Sequence, residues 1–449
     1  MNFNTDKQTL DDLNILAKPG GDSVFALYNY TNTRGGADIL EQMFLYPLAD
    51  VTAINNRCQT FQYFNTIKEA FPFRTENLDS AESYLAMTDP RTKLSHADNN
   101  LVRKFNQIIA ADGDYKVIFN GIVAIIEILQ TLQAFIEKIK PSAAGTPYQP
   151  VLEQVEALLG DEDLKPILAE KHAAKLPYTK ITDLDKLLRF QYRVKIKQQL
   201  AFIYQLDVFI SVAQIASKCN YVFPTAIDKN LHTINLIGVY HPLVKNAKAN
   251  SITITPQSNI VFLTGANMAG KSTFMKSLGI ALYLAHMGFP VAAEKMEFSV
   301  RDGIYTTINL PDDLNSGNSH FYAEVLRVKK IAKELGVAKN LFIIFDELFR
   351  GTNVKDAYEG TIAITEAFAE KRNCMFVVST HIIEAGDVLR ERCDNINFVY
   401  LPTEMDGNTP IYTYKLQSGI TADRHGMIII NNERILEIIR SRKNKTVES

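Results

Sequence analysis

The sequence predicts a multidomain α and α/β protein, with a mostly helical region at residues 1–220 followed by an α/β domain at residues 221–449. Before residue 220, apolar residues recur at helical spacing and strand signals are few. After it, short β-branched or aromatic runs alternate with helical stretches. The chain has 449 residues, enough for two or three domains, and its 46% hydrophobic content supplies a sizeable core.

The helical region contains two long periodic segments. In Asp183–Ser217, apolar residues recur every three or four positions, which predicts one long amphipathic helix. Gln107–Lys140 also has helical periodicity, with an expected break around Asp112–Asp114, and Pro141 is expected to end that helix.

The second region alternates between strands and helices. Strands are predicted at Ile252–Thr255, Ile260–Leu263, Leu341–Phe345 and Met375–Val378, and helices at Ser272–His286, Tyr322–Leu335 and Ala357–Glu370. This alternation predicts a largely parallel sheet covered by helices on both faces.

Charge, cysteine content and hydropathy restrict the classes of protein. The formal net charge is −2, so any DNA contact would have to come from a local basic patch. The four cysteines lack zinc-site spacing and suit a reducing cytoplasm. The N-terminus lacks the apolar core of a signal peptide, and Val117–Leu129 is too short to span a bilayer. We therefore expect a cytoplasmic protein without a membrane span.

A glycine-containing segment carries the strongest chemical signal. It follows the apolar run Ile260–Leu263 and precedes a helical stretch, and it matches G-x-x-x-x-G-K-[ST] with the residues Gly265, Ala266, Asn267, Met268, Ala269, Gly270, Lys271 and Ser272, followed by Thr273. Such a loop surrounds phosphates with backbone N–H groups at a helix N-terminus. Lys271 would reach the β- and γ-phosphates, and Ser272 would ligate Mg²⁺. The segment predicts ATP binding; the alternative is a chance glycine-rich turn.

Two acids follow the apolar run Leu341–Phe345. A buried strand would deliver Asp346 to its C-terminal end, where ligands bind in open α/β sheets. Asp346 would hold Mg²⁺ through water, and Glu347 would act as general base toward the attacking water. The alternative is that Glu347 caps the following turn at the surface.

Two further polar residues stand where a strand ends and where a helix begins. His381 follows the run Val377–Thr380 and would sense the γ-phosphate, although a histidine at a strand end is commonly a polar boundary residue. Ser319 precedes the predicted helix Tyr322–Leu335. It is either the N-cap of that helix, which its chemistry alone favours, or part of a signature loop that contacts a nucleotide on a partner subunit.

Together these segments resemble the ATPase domain of the MutS family of DNA mismatch-repair proteins. The matching segments are TGANMAGKST at the P-loop, FDELFRGT at the Walker B strand, STH at His381, SHFYAE at Ser319, the lead-in His241–Val244 and the late segment Ser418–Gly426. The resemblance implies a P-loop ATPase domain of ABC type. It also implies catalytic roles for Glu347, Lys271 and His381, with Ser319 acting on the partner's nucleotide.

The resemblance continues upstream. Thr31–Gly36 through Arg57 resembles the start of the MutS core helical domain, and Leu206–Pro224 resembles the end of its lever helix. It implies a core/lever domain at 1–220 and a domain V-like ATPase domain at 221–449. Because the chain begins almost at the core domain, we expect no mismatch-reading Phe-x-Glu wedge of its own and a reduced or absent DNA clamp domain.

Several positions depart from the family pattern or leave alternatives open. Phe349 stands where the family often has glycine, and Ala247 is the nearest match to an adenine-stacking aromatic. Tyr414 is the candidate to stack on adenine instead; the alternative is a core aromatic of a strand. A basic stripe, defined by Lys186, Arg189, Arg193 and Lys197, would contact DNA phosphates or form a solvated helix face.

The resemblance also implies partners. One chain carries one P-loop and one signature loop, so the working unit is expected to be a homodimer that closes on ATP. Duplex or branched DNA is the expected partner, in repair or recombination, with an additional repair protein as a further partner. The alternative is a nucleotide-gated protein-interaction module that does not bind DNA. A transporter-coupled ATPase is disfavoured because no membrane span is visible.

Overall fold

The computed structural model describes residues 3–16, 21–95, 112–266, 268–310, 320–337, 339–407, 409–421 and 434–441. The chain divides into two compact units. The sheet unit comprises Met1–Leu27, Phe44–Cys58 and Lys218–Ser449, and the helical unit comprises Tyr28–Met43 and Gln59–Ser217. Two N-terminal segments therefore belong with residues 218–449, so a single boundary near residue 220 does not describe this division.

The described residues contain α-helices of very different lengths. In chain order they are α1 (Lys7–Asp12), α2 (Val24–Tyr28), α3 (Arg34–Leu45), α4 (Val51–Ile67), α5 (Thr75–Ala86), α6 (Asp112–Ala143), α7 (Gln149–Leu159), α8 (Lys165–Leu168), α9 (Tyr178–Asp185), α10 (Arg193–Cys219), α11 (Lys271–His286), α12 (His320–Leu335), α13 (Val354–Ala369), α14 (Ile383–Arg392) and α15 (Ile435–Ser441).

The described strands form two larger sheets and a hairpin. In chain order they are β1 (Thr225–Ile227), β2 (Ile234–Val239), β3 (Asn250–Ile254), β4 (Ile260–Gly265), β5 (Lys295–Ser299), β6 (Gly303–Thr307), β7 (Leu341–Asp346), β8 (Met375–Ser379), β9 (Ile396–Leu401), β10 (Thr403–Asp406), β11 (Thr409–Tyr412) and β12 (Gln417–Ser418).

The central sheet of the sheet unit has six strands in the order β12-β9-β4-β8-β7-β6. Neighbouring strands from β9 to β6 pair in parallel, and β12 is antiparallel at the edge. All residues of β4 and β8 are buried, which explains their continuous apolar sequences. The predicted largely parallel sheet is confirmed.

A second, four-stranded sheet has the order β1-β5-β2-β3 and mixes parallel and antiparallel pairs. Strand β3 matches the predicted strand at Ile252–Thr255 within two residues. Strands β10 and β11 form a separate antiparallel hairpin. Strands β3 and β4 are consecutive in sequence, but they belong to different sheets.

Helices α11, α12 and α13 confirm the predicted helices of the second region, and each begins one to three residues earlier than predicted. Phe368 of α13 stacks on Phe345 of β7 at 5.6 Å and on Phe376 of β8 at 4.5 Å between ring centroids. Aromatic burial of this kind fixes the helix on the sheet beside the end of β7 and the start of β8.

The core of the helical unit is built around α5, α6 and α10. Gly121 of α6 allows close approach to α5, because a Cβ there would lie 2.1 Å from the Cβ of Tyr84. Pro141 lies inside the last turn of α6, so the expected helix end at that residue is wrong by two residues. A proline this close to a helix C-terminus removes only one hydrogen bond of the final turn.

Helices α6 and α10 are long and apolar enough to cross a membrane by length and composition. The apolar stretch Val117–Leu129 lies inside α6, which extends well beyond it on both sides. However, 50% and 67% of the most apolar windows of these two helices are buried within the protein. Core helices show such burial, and two of them are weak evidence for a membrane span.

The two upstream segments that resemble the MutS core meet inside the helical unit. The buried Asp207 of α10 accepts hydrogen bonds from the backbone N–H groups of Asn32 and Thr33, at 3.0 and 2.8 Å. Gly35 lies against the ring of Tyr204. The two residues just before α3 are therefore held on α10 by a carboxylate that accepts their N–H groups.

The predicted continuous helix over Asp183–Ser217 is wrong. Helix α9 ends at Asp185, a π-helical segment spans Lys186–Gln191, and α10 begins at Arg193. A π-helical turn changes the angular spacing of side chains, so residues three and four apart no longer share one face.

The basic stripe is broken at its second member for the same reason. Arg189 is buried, and its guanidinium pairs with Asp185 at 2.6 Å and donates to the Thr92 hydroxyl at 2.8 Å. The expectation of a single exposed basic face is therefore wrong.

We expect Arg189→Met to destabilise the helical unit by about 3–5 kcal/mol, because the substitution leaves a buried carboxylate without its partner. The side chains of Arg189 and Asp185 are 1% and 0% exposed. Urea unfolding followed by circular dichroism would measure the loss. Lys186→Met, at the exposed neighbouring lysine, is the matched control; equal stability of the two variants would contradict the structural role of the pair.

Candidate active site

The loop between β4 and α11 has the backbone conformation that its glycines permit. Gly265 and Gly270 have φ values of 144° and 98°. A Cβ at Gly265 would lie 3.0 Å from the carbonyl oxygen of Leu401, and one at Gly270 would lie 2.9 Å from Cδ1 of Tyr414. Both positions therefore require glycine. Met268 has a φ of 73° and is 75% exposed, while Asn267 lies outside the described residues.

Lys271 begins α11 directly after this loop and is only 5% exposed. Its ammonium group donates to the carbonyl oxygens of Gly265 and Ala266 at 2.9 and 3.2 Å. Burial lowers the pKa of Lys271, whereas the nearby Asp346 and Glu347 raise it. A buried ammonium group at a helix N-terminus is suited to bind an anionic ligand such as a phosphate.

A cavity of about 540 Å³ opens beside the loop, within the size range of small-molecule sites. Its lining includes the P-loop residues Ala266 and Met268–Thr273 on one side and the lead-in residue His241 with Ala247 on another. Tyr414 also lines it and is 43% exposed. The structure thus brings Tyr414 and Ala247, the two candidates near adenine, to the same cavity as the P-loop.

Asp346 is the last residue of β7 and lies next to the start of α11. The Ser272 hydroxyl donates to Oδ2 of Asp346 at 2.6 Å. The other oxygen, Oδ1, is buried and has no hydrogen-bond partner within the described part of the chain. Burial raises the pKa of Asp346, and the Ser272 hydrogen bond lowers it. A buried carboxylate oxygen without a donor is suited to a cation or its bound water.

The described residues contain no group of three or more His, Cys, Asp or Glu side chains placed to hold a metal ion. Mg²⁺ in nucleotide sites commonly takes one or two protein oxygens and completes its shell with phosphates and water. Ser272 and Asp346 together fit that donor set.

Glu347 has a left-handed backbone conformation, with a φ of 53°, and its N–H donates to the carbonyl oxygen of Ser379 at 2.9 Å. Its Oε1 is hydrogen-bonded to Nε2 of His381, and Nη1 of Arg350 lies 3.5 Å from its Oε2. The His381 hydrogen bond lowers the pKa of Glu347, although burial raises it. The helix that follows is capped by Asn353, not by Glu347.

Sheet order explains why His381 reaches Glu347. Strand β8 lies between β4 and β7, and all three run in parallel. Their C-terminal ends therefore deliver the P-loop, His381 and the acidic pair to one edge of the sheet. The P-loop, the acidic pair and His381 are separated by more than 30 residues in sequence. Strand order in the sheet makes them neighbours.

A second cavity of about 410 Å³ adjoins Ser272, Asp346 and Glu347. Its lining also includes Thr307–Leu310, at the end of β6 and directly after it, and Glu324 of α12. The sequence offered no signal for this part of the lining, because neither β6 nor the residues after it match a motif.

Phe349 also has a left-handed backbone conformation, with a φ of 62°. Its ring packs on Phe321 at 5.9 Å, and a Cβ at Gly360 would lie 2.9 Å from Cδ2 of Phe349. Packing against these residues stabilises an aromatic side chain in a backbone conformation that favours glycine. Ser319, the proposed signature serine, lies outside the described residues.

Comparison with known proteins agrees with this geometry. The family model of MutS domain V matches residues 261–448, from β4 through both acidic residues and His381. DNA mismatch repair protein MutS from Staphylococcus aureus strain JH9 is 28% identical over 337 residues, which cover 73% of this chain.

Residues 261–448 thus match MutS domain V, and 73% of the chain is similar to a MutS protein. The MutS proteins of the S. aureus strains Newman and N315 match the chain with the same identity and coverage. In each case the match spans 38% of the relative's length. The MutS domain V match begins inside β4, so it contains every candidate catalytic and metal-binding residue.

Proposed function

We propose that this MutS-like chain binds ATP with Mg²⁺ and hydrolyses it to ADP and phosphate. The proposal rests on one observation: Lys271, Ser272, Asp346 and Glu347 converge on two adjoining cavities at one edge of the central sheet. A cationic group, a candidate metal site and an ionised carboxylate next to space for a ligand are the components that phosphoryl transfer to water requires.

Each residue has a distinct role in this proposal. The P-loop N–H groups and Lys271 bind the phosphates, and Tyr414 faces the base. Ser272 and Asp346 would hold Mg²⁺, which would neutralise phosphate charge when bound. Glu347 orients the attacking water and accepts its proton. His381 holds the carboxylate of Glu347 in its ionised form until the water and the γ-phosphate are in position.

We further propose that the chain acts as a homodimer in which Ser319 completes the partner's ATP site. We expect Ser319→Ala and Lys271→Ala homodimers to be inactive, and their mixture to regain activity in heterodimers that contain one intact composite site. Steady-state ATPase assays on mixtures at several ratios would measure the recovery. Absence of any recovery, with heterodimers verified by mass, would argue against the trans role of Ser319.

DNA is the partner that the related proteins suggest, since they are named DNA mismatch repair proteins. We propose that the chain acts in the cytoplasm on duplex or branched DNA, in repair or recombination. We further propose an additional repair protein as a partner. The chain's four free cysteines are consistent with a reducing compartment.

The test is the ATPase rate with and without duplex, mismatched and branched DNA at two salt concentrations. We expect DNA to change the rate at low salt and the effect to weaken at high salt, since phosphate contacts release counterions. An active ATPase that no DNA structure binds or affects would instead support the nucleotide-gated protein-interaction module.

A further inference from the structure

The N-terminal segment Phe3–Asp12 packs along the edge strand of the central sheet. Asn4 pairs in parallel with Gly303 of β6, with hydrogen bonds from Asn4 N to Asp302 O at 2.8 Å and from Ile304 N to Asn4 O at 3.0 Å. A Cβ at Gly303 would lie 2.4 Å from the Asn4 carbonyl oxygen. The backbones therefore approach as closely as a glycine allows, and α1 follows immediately.

The last residue of α1, Asp12, holds the chain that follows β6. Its side chain is 1% exposed and accepts hydrogen bonds from the Thr306 hydroxyl at 2.7 Å and from the N–H groups of Ile308 and Asn309 at 2.9 Å each. Gln8 adds a fourth donor to Asp12 at 2.9 Å and also donates to the Asn309 carbonyl oxygen at 2.9 Å. One carboxylate thus satisfies consecutive backbone N–H groups that no strand pairs.

Asp6, the N-cap residue of α1, is held against α12 by ion pairs. Asp6 forms an ion pair with Arg327 and a second with Lys330 at 2.7 Å. Arg327 also donates to the carbonyl oxygen of Thr306 at 2.6 Å and to the Thr307 hydroxyl at 3.2 Å. Burial raises the pKa of Asp6, but the hydrogen bonds from Arg327 and Lys330 outweigh it and lower the pKa below its ordinary range.

These contacts converge on the lining of the second cavity. Thr307–Leu310 line that cavity together with Ser272, Asp346 and Glu347. We propose that Asp12 is a positioning residue for ATP hydrolysis, which fixes Ile308 and Asn309 in the same cavity as the proposed general base. The inference rests on the proposed ATPase function. It places the N-terminal segment among the determinants of the chemical step, although Asp12 does not line either cavity.

A role in positioning predicts a specific kinetic pattern. Asp12→Asn replaces one acceptor oxygen by an NH₂ group of nearly the same size. That group is a donor, so it cannot accept hydrogen bonds from the N–H groups that face it. We expect kcat to fall by about 10- to 100-fold, since a small displacement near the reacting atoms has effects of that order. The KM for ATP should stay within about twofold, because the P-loop cavity is not contacted by Asp12. Hydrogen exchange of Ile308 and Asn309 should become faster in the same variant.

Asp11→Asn is the matched control, since Asp11 is the exposed neighbour on the same helix. If Asp12→Asn does not fold, Gln8→Ala decides the question: it removes the donor to Asp12 and Asn309 and should lower kcat severalfold at unchanged KM. The inference is overturned if the folded test variant, Asp12→Asn or otherwise Gln8→Ala, has the same kcat as Asp11→Asn. A wild-type chain that binds ATP without hydrolysing it would instead overturn the proposed function.

Discussion

Glu347→Gln is expected to retain ATP binding while lowering kcat by about 10²- to 10⁴-fold, the usual contribution of a general base. The glutamine side chain has the same size and keeps an oxygen at the cavity, but it cannot accept a proton from water. In the wild-type protein the His381 hydrogen bond lowers the pKa of Glu347 and so favours its ionised form. In the variant the same histidine faces a neutral amide. Single-turnover hydrolysis and nucleotide titration, measured separately, would divide the effect between chemistry and binding.

Glu359→Gln is the matched control for this substitution, because Glu359 lies on the following helix and its side chain is 64% exposed. Its kcat should equal that of the wild-type protein. We also expect Glu347→Gln to accumulate in the ATP-bound, closed form, which size-exclusion chromatography with ATP would detect. Turnover that survives the loss of the Glu347 carboxylate would exclude it as the base.

Lys271→Ala is expected to weaken ATP binding by about 2–3 kcal/mol, or roughly 30- to 150-fold in Kd, because a charged hydrogen-bond donor to the phosphates is lost. Hydrolysis should fall further than binding, because Lys271 would also stabilise the negative charge of the reacting γ-phosphate. Calorimetric titration with a non-hydrolysable ATP analogue and Mg²⁺ would measure Kd directly.

The control for Lys271→Ala is Lys276→Ala, five residues later on the same helix and absent from the lining of the P-loop cavity. Thermal unfolding should be measured for both variants without nucleotide, because Lys271 also donates to the loop carbonyl groups of Gly265 and Ala266. A loss of stability can then be separated from a loss of binding. An unchanged Kd in a folded Lys271→Ala protein would contradict the location of the phosphate site.

The strands that could be predicted are those with continuous apolar sequences. Strands β4, β7 and β8 are buried on both faces, so composition alone identifies them. Strand β9 pairs with β4 just as β8 does, yet its residues Ile396, Asn397 and Phe398 are only partly buried and it was not predicted. Partial exposure places polar residues within a strand and weakens the apolar signal.

The helical unit shows the complementary limit. Periodicity predicted helices correctly along α6 and α10, but it could not predict the π-helical segment between Asp185 and Tyr192. Arg189 in that segment pairs with Asp185 four residues earlier, but it also donates to Thr92, a contact 97 residues away that sequence spacing does not encode. A buried arginine and an exposed one look alike in a sequence.

At the candidate site, motif spacing predicted the residues at the ends of β4, β7 and β8. It could not predict the hydrogen bond between Glu347 and His381, which depends on the order of the strands in the sheet. Nor could it identify Asp12, because a carboxylate that satisfies backbone N–H groups almost 300 residues away belongs to no local pattern. The roles of the site residues themselves remain predictions for the experiments above.

The attachment of Phe3–Asp12 to β6 and α12 has a consequence for biosynthesis. The ribosome synthesises this segment roughly 300 residues before its partners at Thr306–Asn309 and Arg327. At about 5–20 residues per second, the N-terminal segment waits on the order of 15–60 s without its binding site. The helical unit is synthesised completely within that interval and can fold first. A nascent chain that stalls between residues 217 and 327 would therefore contain the whole helical unit but only part of the sheet unit.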